Sequence, residues 1–173
     1  MLIRDATRED LAYISALYNA TIPTTTAAWT EQPETLADRE VWFARQQEAG
    51  YPVLVADDDG RVVGFSAFGD FRDTAKWPGY RLVVELTIHV AEAYWGKGVG
   101  RALITELIGR ARGLGKTQIV AGIDGANEAS IRFHERLGFR EVARLPAIGI
   151  KFGRTLDLVL MQRSTGAEVA SGP

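Results

Sequence analysis

The hydrophobic and polar positions of the chain repeat with two periods, one typical of helices and one typical of strands. Helical spacing is clear after residue 10, where four apolar residues share one face: Leu11, Ile14, Leu17 and Tyr18. Further helices are predicted at 35–49, 99–112 and 128–137. Apolar runs of strand length are predicted to form β-strands at 2–4, 53–58, 61–68, 81–90, 117–123, 139–145 and 155–161.

The two strands of residues 53–68 are separated by Asp59-Gly60, which predicts a hairpin with a tight turn. Taken in order, the elements give β-α-α-β-β-β-α-β-α-β-β. This order predicts an α/β (α+β) domain, a mixed sheet with helices on its faces. We expect one domain over residues 1–163 and a disordered tail over 164–173, where the residues are small and polar.

Composition excludes several classes of site. The chain has 173 residues and no cysteine, which rules out disulfide scaffolds, thiolate metal sites and cysteine nucleophiles. It has only two histidines, so a histidine-rich metal centre is also excluded. No metal is therefore predicted. The first ten residues have no apolar segment and no apolar run approaches membrane-spanning length, so we expect a cytoplasmic protein that does not enter a membrane.

Charge is distributed unevenly. The net charge is −2 and the pI is about 5.7, values that argue against nucleic-acid binding. Residues 96–116 nevertheless carry five basic residues against the single acidic Glu106: Lys97, Arg101, Arg110, Arg112 and Lys116. A basic island in an acidic chain suits one anionic ligand better than a polymer. The alternative is a solvated helix face.

The island begins in a glycine-rich turn between a predicted strand and a predicted helix. Glycines remove side chains there, and the first N–H groups of the helix have no partner within it, so the turn can bind phosphate oxygens. Lys97 and Arg101 can add charge. The Walker A string is absent, and the dinucleotide fingerprint fails because the third glycine, Gly100, comes one residue early. A purely structural turn is the alternative.

Two ordered motifs resemble those of the GCN5-related N-acetyltransferases (GNAT). Residues 95–100, Trp-Gly-Lys-Gly-Val-Gly, resemble the acetyl-CoA motif [RQ]-x-x-G-x-[GA], with Trp95 in place of Arg or Gln. Residues 127–139 resemble N-x-x-[AS]-x-x-x-[YH]-x-x-x-G-F. The resemblance implies the GNAT fold, a mixed and mostly antiparallel twisted sheet with helices on both faces. It also implies acetyl-CoA as co-substrate, bound by Ile88, His89, Val90, Gly96, Lys97, Gly98, Val99, Gly100, Arg101 and Asn127.

The chain is further similar to the phosphinothricin and methionine sulfone or sulfoximine acetyltransferases, from residue 3 to about residue 163. The shared pieces include residues 25–29 (Thr-Thr-Ala-Ala-Trp), 50–52 (Gly-Tyr-Pro), 69–72 (Gly-Asp-Phe-Arg) and 151–154 (Lys-Phe-Gly-Arg). The chain departs from this subgroup at Leu86 and in a longer segment over residues 73–80. The resemblance implies a homodimer.

Glu85 and His134 are the predicted catalytic residues. The resemblance implies that Glu85 binds or deprotonates the substrate amine, and burial would suit this carboxylate to act as a base. It also implies that His134 is the acid or relay on the thiol side. A backbone N–H of His89 or Val90 would contact the thioester carbonyl. The alternatives are a solvent-facing Glu85 and an ordinary helix-surface His134, with the His89 side chain a spectator.

Arg72 is predicted to bind a substrate carboxylate, and the alternative for it is an ion pair with Asp70 or Asp73. Glu85, Thr87, Trp29, Phe71 and Trp77 complete the predicted substrate site, although aromatic residues are more often core than pocket. Lys151 and Arg154 flank a turn and could approach the site from the sheet edge or from a partner subunit.

The predicted function is transfer of acetyl from acetyl-CoA to the α-amine of a small amino-acid-like substrate of the phosphinothricin, methionine sulfone or methionine sulfoximine type. Three alternatives stay open. The first is acetylation of another amine, such as an aminoglycoside, a polyamine or a protein N-terminus. The second is a coenzyme A-binding regulatory domain without catalysis, and the third is a nucleotide-binding module.

Overall fold

A computed structural model describes residues 1–168 and contains one seven-stranded sheet and four α-helices in that range. The strands are β1 (Leu2–Asp5), β2 (Val53–Asp58), β3 (Arg61–Asp70), β4 (Val83–Val90), β5 (Gln118–Asp124), β6 (Arg140–Lys151) and β7 (Arg154–Ser164). The helices are α1 (Leu11–Thr21), α2 (Leu36–Glu48), α3 (Val99–Gly113) and α4 (Glu128–Glu135). The sheet order β1-β2-β3-β4-β5-β7-β6 confirms the predicted mixed class.

Local sequence signals set most element boundaries. Thr35 and Asp38 form a capping box at the start of α2, with the Thr35 hydroxyl accepting from the Asp38 N–H at 3.1 Å. The helix α1 ends at Thr21, two residues before Pro23. The turn between β2 and β3 holds Asp59 and Gly60 at φ angles of 53° and 82°, as a tight hairpin turn requires. The predicted β2–β3 hairpin is confirmed.

The last two strands differ from the prediction. The strands β6 and β7 contain 12 and 11 residues, each longer than its predicted seven-residue strand. Register shifts within β6, between Glu141 and Ala143 and between Leu145 and Gly149, break its apolar alternation, and period-2 patterning cannot follow a strand through such irregularities. The long β6–β7 hairpin extends beyond the sheet toward the segment that joins α1 to α2.

Each face of the sheet is covered by helices, because each carries its own apolar cluster. One cluster packs α1 and α2 against β2 and β3 through Leu11, Ile14, Phe43 and Phe65, all nearly inaccessible to solvent. The larger cluster lies on the opposite face, where α3 packs against the centre of the sheet. Its fully buried members include Leu54, Leu103, Ile104, Leu107 and Ile119. The sheet therefore presents one face to α1 and α2 and the other to α3.

The last strand, β7, and the residue after it remain bonded to the sheet. Ser164 ends β7, and the Thr165 side chain is 1% exposed, with its N–H bonded to the Thr117 carbonyl at 3.0 Å. The chain thus stays attached to the sheet two residues further than predicted. Residues 169–173 of the predicted tail lie outside the described residues, and the domain boundary stays a prediction. No helix between residues 1 and 168 is long and apolar enough to cross a membrane.

Candidate active site

The parallel pair β4–β5 opens into a cleft. Val83, Val84 and Glu85 pair with Gln118, Ile119 and Val120, after which the two strands diverge while β4 continues to Val90. A cavity of about 500 Å³ fills the space between them. Its walls come from β3, β4, β5, α2, α4 and the α1–α2 loop (residues 22–35). A broken parallel pair exposes backbone groups that would otherwise be bonded within the sheet.

The direction of these backbone groups follows from the β3–β4 ladder. Bonds from Phe71 N–H to the Val83 carbonyl and from Ala91 N–H to the Val63 carbonyl bracket the ladder. In an antiparallel pair, bonded and non-bonded positions alternate. The odd-numbered residues of β4 therefore bond to β3, and the even-numbered residues direct their N–H and C=O groups toward β5. Beyond Glu85, these are Leu86, Ile88 and Val90.

This alternation decides between the two predicted thioester contacts. The His89 backbone belongs to the set that bonds to β3, opposite Phe65, so its N–H does not face the cleft. Prediction of the His89 N–H as a contact is therefore wrong. The Val90 N–H, which was the other predicted contact, faces the gap between β4 and β5. The Ile88 N–H faces the same gap.

The Glu85 carboxylate occupies the cavity on the side of α1 and α2. Glu85 shares the cavity wall with Thr87, two residues along the same strand face. Glu85 is an exposed residue that meets the solvent in the open cavity, as the solvent-facing alternative held. The protein around the cavity still desolvates the carboxylate in part and raises its pKa, while the positive charge of Arg72 opposes this shift. A raised pKa suits a carboxylate that takes a proton from an ammonium group.

The His89 side chain lies on the same face but in a drier place. Its ring stacks on Phe65 at a centroid distance of 5.2 Å and meets the Tyr18 ring edge-on at 5.2 Å. Burial, with a smaller contribution from the nearby Arg39 cation, lowers the pKa of His89 to about 4. The imidazole is therefore neutral near pH 7, and it borders the cavity without adding charge.

His134 also borders the cavity and is 3% exposed, so the alternative of an ordinary helix-surface histidine is excluded. Its Nδ1 lies 2.9 Å from the Ser130 carbonyl, which can only accept a hydrogen bond, so Nδ1 carries the proton. Burial lowers the pKa of His134, against the effect of that bond. Within residues 1–168, Nε2 is one of two buried side-chain polar atoms without a partner. It presents a free lone pair.

The glycine turn leaves the start of α3 open. Gly96 and Gly98 have φ angles of 74° and 86°, a left-handed conformation that favours glycine, and a Cβ at either would meet no atom within 4 Å. No side chain caps the first turn of α3, and the first bond to the capping residue is from the Ala102 N–H to the Gly98 carbonyl at 3.0 Å. The preceding N–H groups are free to bind an anion.

Gly100 has a different purpose. A Cβ at this position would lie 3.0 Å from Cζ of Phe133, so the absence of a side chain lets α4 pack closely on the first turn of α3. Val99, beside it, is 1% exposed and belongs to the core. Both residues therefore shape the turn through packing, and their backbone N–H groups remain at the open helix start.

Only part of the predicted basic island serves this turn. Arg110 pairs with Glu106 and Asp5 at 2.8 and 3.0 Å, and Arg112 donates to the Thr165 carbonyl at 2.6 Å. Lys116 donates to the Tyr51 hydroxyl and the Arg81 carbonyl, both at 2.8 Å. The remaining two cations, Lys97 and Arg101, flank the glycine turn and form no salt bridge within the described part of the chain.

Trp95 is anchored to the cleft. Its indole N–H donates to the Val90 carbonyl at 2.8 Å, while 61% of the residue stays exposed beside the glycine turn. The bond satisfies a carbonyl group that the divergence of β4 from β5 leaves unpaired. The residue that departs from the family motif thus supports the end of β4 and leaves the glycine backbone unobstructed.

The structure does not bring all predicted substrate residues to the cavity. Trp29, Glu85 and Thr87 line it, whereas Arg72, Phe71 and Trp77 do not. The prediction that Phe71 and Trp77 form its walls is wrong for this structure, because the chain turns away after β3. Phe71 packs near Tyr80, and Trp77 is 49% exposed.

Arg72 lies near Glu85, whose pKa it lowers, but its guanidinium rests over the Phe71 ring at 5.1 Å. The alternative ion pair with Asp70 does not form, because Asp70 is already engaged. Tyr51 and Thr74 both donate hydroxyl groups to Asp70, the latter at 2.6 Å, and Lys116 lies 3.9 Å away. No ion pair holds Arg72 within residues 1–168.

Sequence reasoning missed several cavity residues from distant parts of the chain. Thr26 in the α1–α2 loop donates to Asp124 at the end of β5 at 2.5 Å, and both line the cavity. Gln46 of α2 reaches the cavity wall and donates to the Phe68 carbonyl at 2.8 Å. The predicted Asn127 lines the cavity as well, and its side chain caps α4 by accepting from the Ser130 N–H at 3.1 Å. A pair such as Thr26 and Asp124, 98 residues apart, leaves no local signal.

Comparisons with known proteins identify the class that the opened sheet and glycine turn define. A profile of the acetyltransferase (GNAT) family matches residues 14–139. The L-methionine sulfoximine/L-methionine sulfone acetyltransferase of Salmonella typhimurium is 44% identical over 94% of this chain and 93% of its own length. The chain belongs to the GNAT family of acetyltransferases, which confirms the predicted fold and enzyme class.

Solved structures agree with this assignment. The structure of yncA from Salmonella typhimurium with its cofactor acetyl-CoA has a TM-score of 0.93 and 42% identity, over 99% of this chain and 98% of that one. A GNAT superfamily phosphinothricin acetyltransferase from Sinorhizobium meliloti, in complex with acetyl-CoA, has a TM-score of 0.92 and 37% identity, over 99% and 92% of the two chains. Both are similar to this chain over nearly its whole length.

Proposed function

We propose that this enzyme transfers the acetyl group of acetyl-CoA to the α-amine of a small amino-acid-like substrate of the methionine sulfoximine, methionine sulfone or phosphinothricin type. One observation carries the proposal: a carboxylate with a raised pKa, Glu85, lines a cavity in the cleft between the diverging β4 and β5. Relatives that are named for these substrates support the substrate class.

The residues around the cleft fit acetyl-CoA. The open N–H groups at the start of α3, with Gly96 and Gly98 free of side chains, suit phosphate oxygens. Lys97 and Arg101 add positive charge beside them. Ile88 and Val90 direct backbone groups into the cleft, where the rest of the molecule would extend toward the cavity. When bound, acetyl-CoA supplies the acetyl group as an activated thioester.

Three groups of the chain divide the chemistry. Glu85 takes one proton from the substrate ammonium and leaves a neutral amine that attacks the thioester carbon. The Val90 N–H donates to the carbonyl oxygen as negative charge develops on it. His134 Nε2, which holds a lone pair, takes the second amine proton and passes it to the departing thiolate. The balance is one N–C bond formed, one C–S bond broken and one proton released through Glu85.

His134 thus acts as a proton relay rather than as a general acid that is protonated before the reaction begins. With Nδ1 bonded to Ser130 and a lowered pKa, the imidazole is neutral and cannot donate from Nε2 until it has received a proton. Burial between Phe133 and Phe139, whose rings lie 5.1 and 5.2 Å from the imidazole, keeps it in this state. Of the two predicted roles for His134, we retain the relay.

The test is release of free thiol from acetyl-CoA by the purified chain with a panel of amines. The panel contains phosphinothricin, methionine sulfone, methionine sulfoximine, ordinary amino acids, spermidine and an aminoglycoside. We expect turnover with the first three, and loss of turnover when the amino acid lacks its carboxylate. Turnover only with spermidine or the aminoglycoside would reject the substrate class and keep the chemistry. Binding of acetyl-CoA without turnover would favour the regulatory alternative.

We also propose a homodimeric, cytoplasmic enzyme. The outer edge strand β6 and the turn that follows it expose four large apolar residues, which supports burial against a second copy: Val142, Ile148, Ile150 and Phe152. Light scattering coupled to size exclusion should give twice the mass of the 19.0 kDa chain. A monomer at micromolar concentration would reject the dimer. The predictions of no nucleic-acid and no metal partner remain predictions.

A further inference from the structure

The α1–α2 loop forms one wall of the cavity without regular secondary structure of its own. Thr26, Ala27 and Trp29 of this loop line the cavity on the side that Glu85 faces. A segment of this kind holds a fixed shape only if other parts of the fold hold it. The contacts that hold the loop therefore decide the shape of the substrate side of the cavity.

The tip of the β6–β7 hairpin is a strained turn beside this loop. Residues Phe152 and Gly153 have φ angles of 52° and 67°, so Phe152 adopts a left-handed conformation that costs a residue with a side chain about 1 kcal/mol or more. Backbone strain persists where the surrounding structure demands it. Here, the Phe152 N–H donates to the Glu31 carboxylate of the α1–α2 loop at 2.8 Å.

Lys151, which precedes this turn, is fully buried, with 0% of its surface exposed. Its Nζ donates to the carbonyl oxygens of Thr25 and Ala28 at 2.6 and 2.5 Å. These two carbonyls bracket the cavity residues Thr26 and Ala27. No carboxylate lies within salt-bridge distance of Nζ anywhere in residues 1–168, although the Phe152 ring lies 4.8 Å away.

Burial of an amine in this way is expensive. Desolvation lowers the pKa of Lys151, with Glu31 opposing the shift, and an unpaired buried ammonium is costly compared with an apolar residue of the same size. The two hydrogen bonds that Lys151 donates explain why a lysine occupies this buried site. They connect the hairpin tip to the cavity wall over a sequence separation of 126 and 123 residues.

A second contact joins the same two parts independently of Lys151. Gly149 of β6 lies against the Trp29 ring so closely that a methyl group at position 149 would overlap it. The register shift in β6 between Leu145 and Gly149 places the glycine at this position. Trp29 also lines the cavity, so the hairpin sets the position of an aromatic wall as well as the backbone beside it.

We propose that Lys151 is a positioning residue: from the hairpin tip, it fixes the α1–α2 loop in the shape that binds the amine substrate. Lys151 does not line the cavity and touches no reacting group. The proposal rests on the proposed function, because it takes this side of the cavity to be the amine site. It gives Lys151, the first residue of the 151–154 motif, a specific role.

The test compares Lys151→Met with the wild-type chain in two measurements. Loss of two hydrogen bonds should increase hydrogen–deuterium exchange in residues 24–31 and raise KM for methionine sulfone about ten-fold. KM for acetyl-CoA should change less than about two-fold, because no hydrogen bond within residues 1–168 joins the glycine turn to the α1–α2 loop and distant sites act independently. A merely structural lysine would lower stability without this separation between the two KM values.

Two further variants keep the result unambiguous. Gly149→Ala should reproduce the effect by displacing Trp29, even if Lys151→Met folds poorly. Arg140→Gln, an exposed position at the far end of β6, should leave exchange and both KM values unchanged. Unchanged exchange in residues 24–31, or an unchanged KM for the amine, in both Lys151→Met and Gly149→Ala would overturn the proposal. Absence of turnover in the wild-type chain would instead reject the proposed function and leave the exchange data to judge Lys151.

Discussion

The carboxylate of Glu85 on β4 lies directly beside Gly122 on β5, so close that a Cβ at position 122 would be 3.1 Å from Glu85 Oε1. The same Cβ would lie 3.3 Å from Leu158 on β7, so it could not move away. The two strands have just stopped pairing at this level. The proposed base therefore occupies a space that exists because its neighbour has no side chain.

Gly122→Ala should disturb this arrangement without removing the base. The added methyl group displaces the Glu85 carboxylate, and a misplacement of about 1 Å costs up to about a hundred-fold in rate. We expect kcat/KM for the amine to fall at least about ten-fold, with Tm nearly unchanged. Gly109→Ala is the matched control, because Gly109 lies in α3 with nothing within 4 Å of an added Cβ. A wild-type kcat/KM in Gly122→Ala would show that the missing side chain at position 122 does not position the Glu85 carboxylate.

Gly98→Ala should weaken acetyl-CoA binding selectively. Its φ of 86° disfavours any residue with a Cβ by about 1–2 kcal/mol, so the turn would change its backbone geometry to relieve the strain. We expect KM for acetyl-CoA to rise several-fold and KM for the amine to stay the same. Gly113→Ala, at the far end of the same helix and without a positive φ, serves as the control. Equal effects on both substrates would argue against a role confined to the glycine turn.

His134→Asn separates the two nitrogen atoms of the imidazole. The asparagine amide can donate to the Ser130 carbonyl as Nδ1 does, but it offers nothing at the Nε2 position. If Nε2 is the relay, kcat should fall about a hundred-fold or more, the usual range for loss of a proton-transfer group, while both KM values change little. A variant with wild-type kcat would show that Nε2 takes no part in proton transfer.

Burial of neutral His89 should make the protein sensitive to acid. The unfolded chain binds a proton at this residue below its usual pKa of 6.5, whereas the folded chain does so only near pH 4. Between these values the unfolded state holds more protons, so stability falls as pH falls, by at most about 3 kcal/mol. Urea unfolding at pH 7 and pH 5 should show a smaller loss in His89→Phe than in the wild type. His134 remains in both proteins, so an equal loss in both would assign the effect elsewhere.

Residues close to one another in sequence could be predicted well. The glycine turn, the helix after it and the motif ending at Gly138-Phe139 are continuous segments whose chemistry depends on their own backbone. An acidic residue in an otherwise apolar strand drew attention to Glu85, and the resemblance to the family implied its role at the substrate amine. The position of Glu85 beside Gly122 could not be predicted, because that contact depends on where the parallel pair β4–β5 separates.

The cavity wall formed by the α1–α2 loop, α2 and the end of β5 could not be predicted from local patterns. Thr26, Gln46 and Asp124 meet there from three separate parts of the chain, and polar residues in loops carry no periodic signal. Arg72, Phe71 and Trp77 were predicted to bind the substrate, Arg72 because it matches an arginine of the subgroup, yet the turn after β3 leaves all three outside the cavity lining. Lys151 was predicted only as a residue that could approach the site from the sheet edge or from a partner subunit, and the folded hairpin alone shows that it is buried.

The most direct test of the account is the pH dependence of kcat at saturating amine and acetyl-CoA, measured by thiol release in the wild type and in Glu85→Gln. If Glu85 is the base, wild-type kcat should fall with decreasing pH through an apparent pKa above the usual 4.5 of a glutamate, since only the carboxylate accepts a proton. Glu85→Gln should lose this acidic limb and about a hundred-fold or more of the rate. A Glu85→Gln enzyme with the wild-type rate and the same acidic limb would contradict the account.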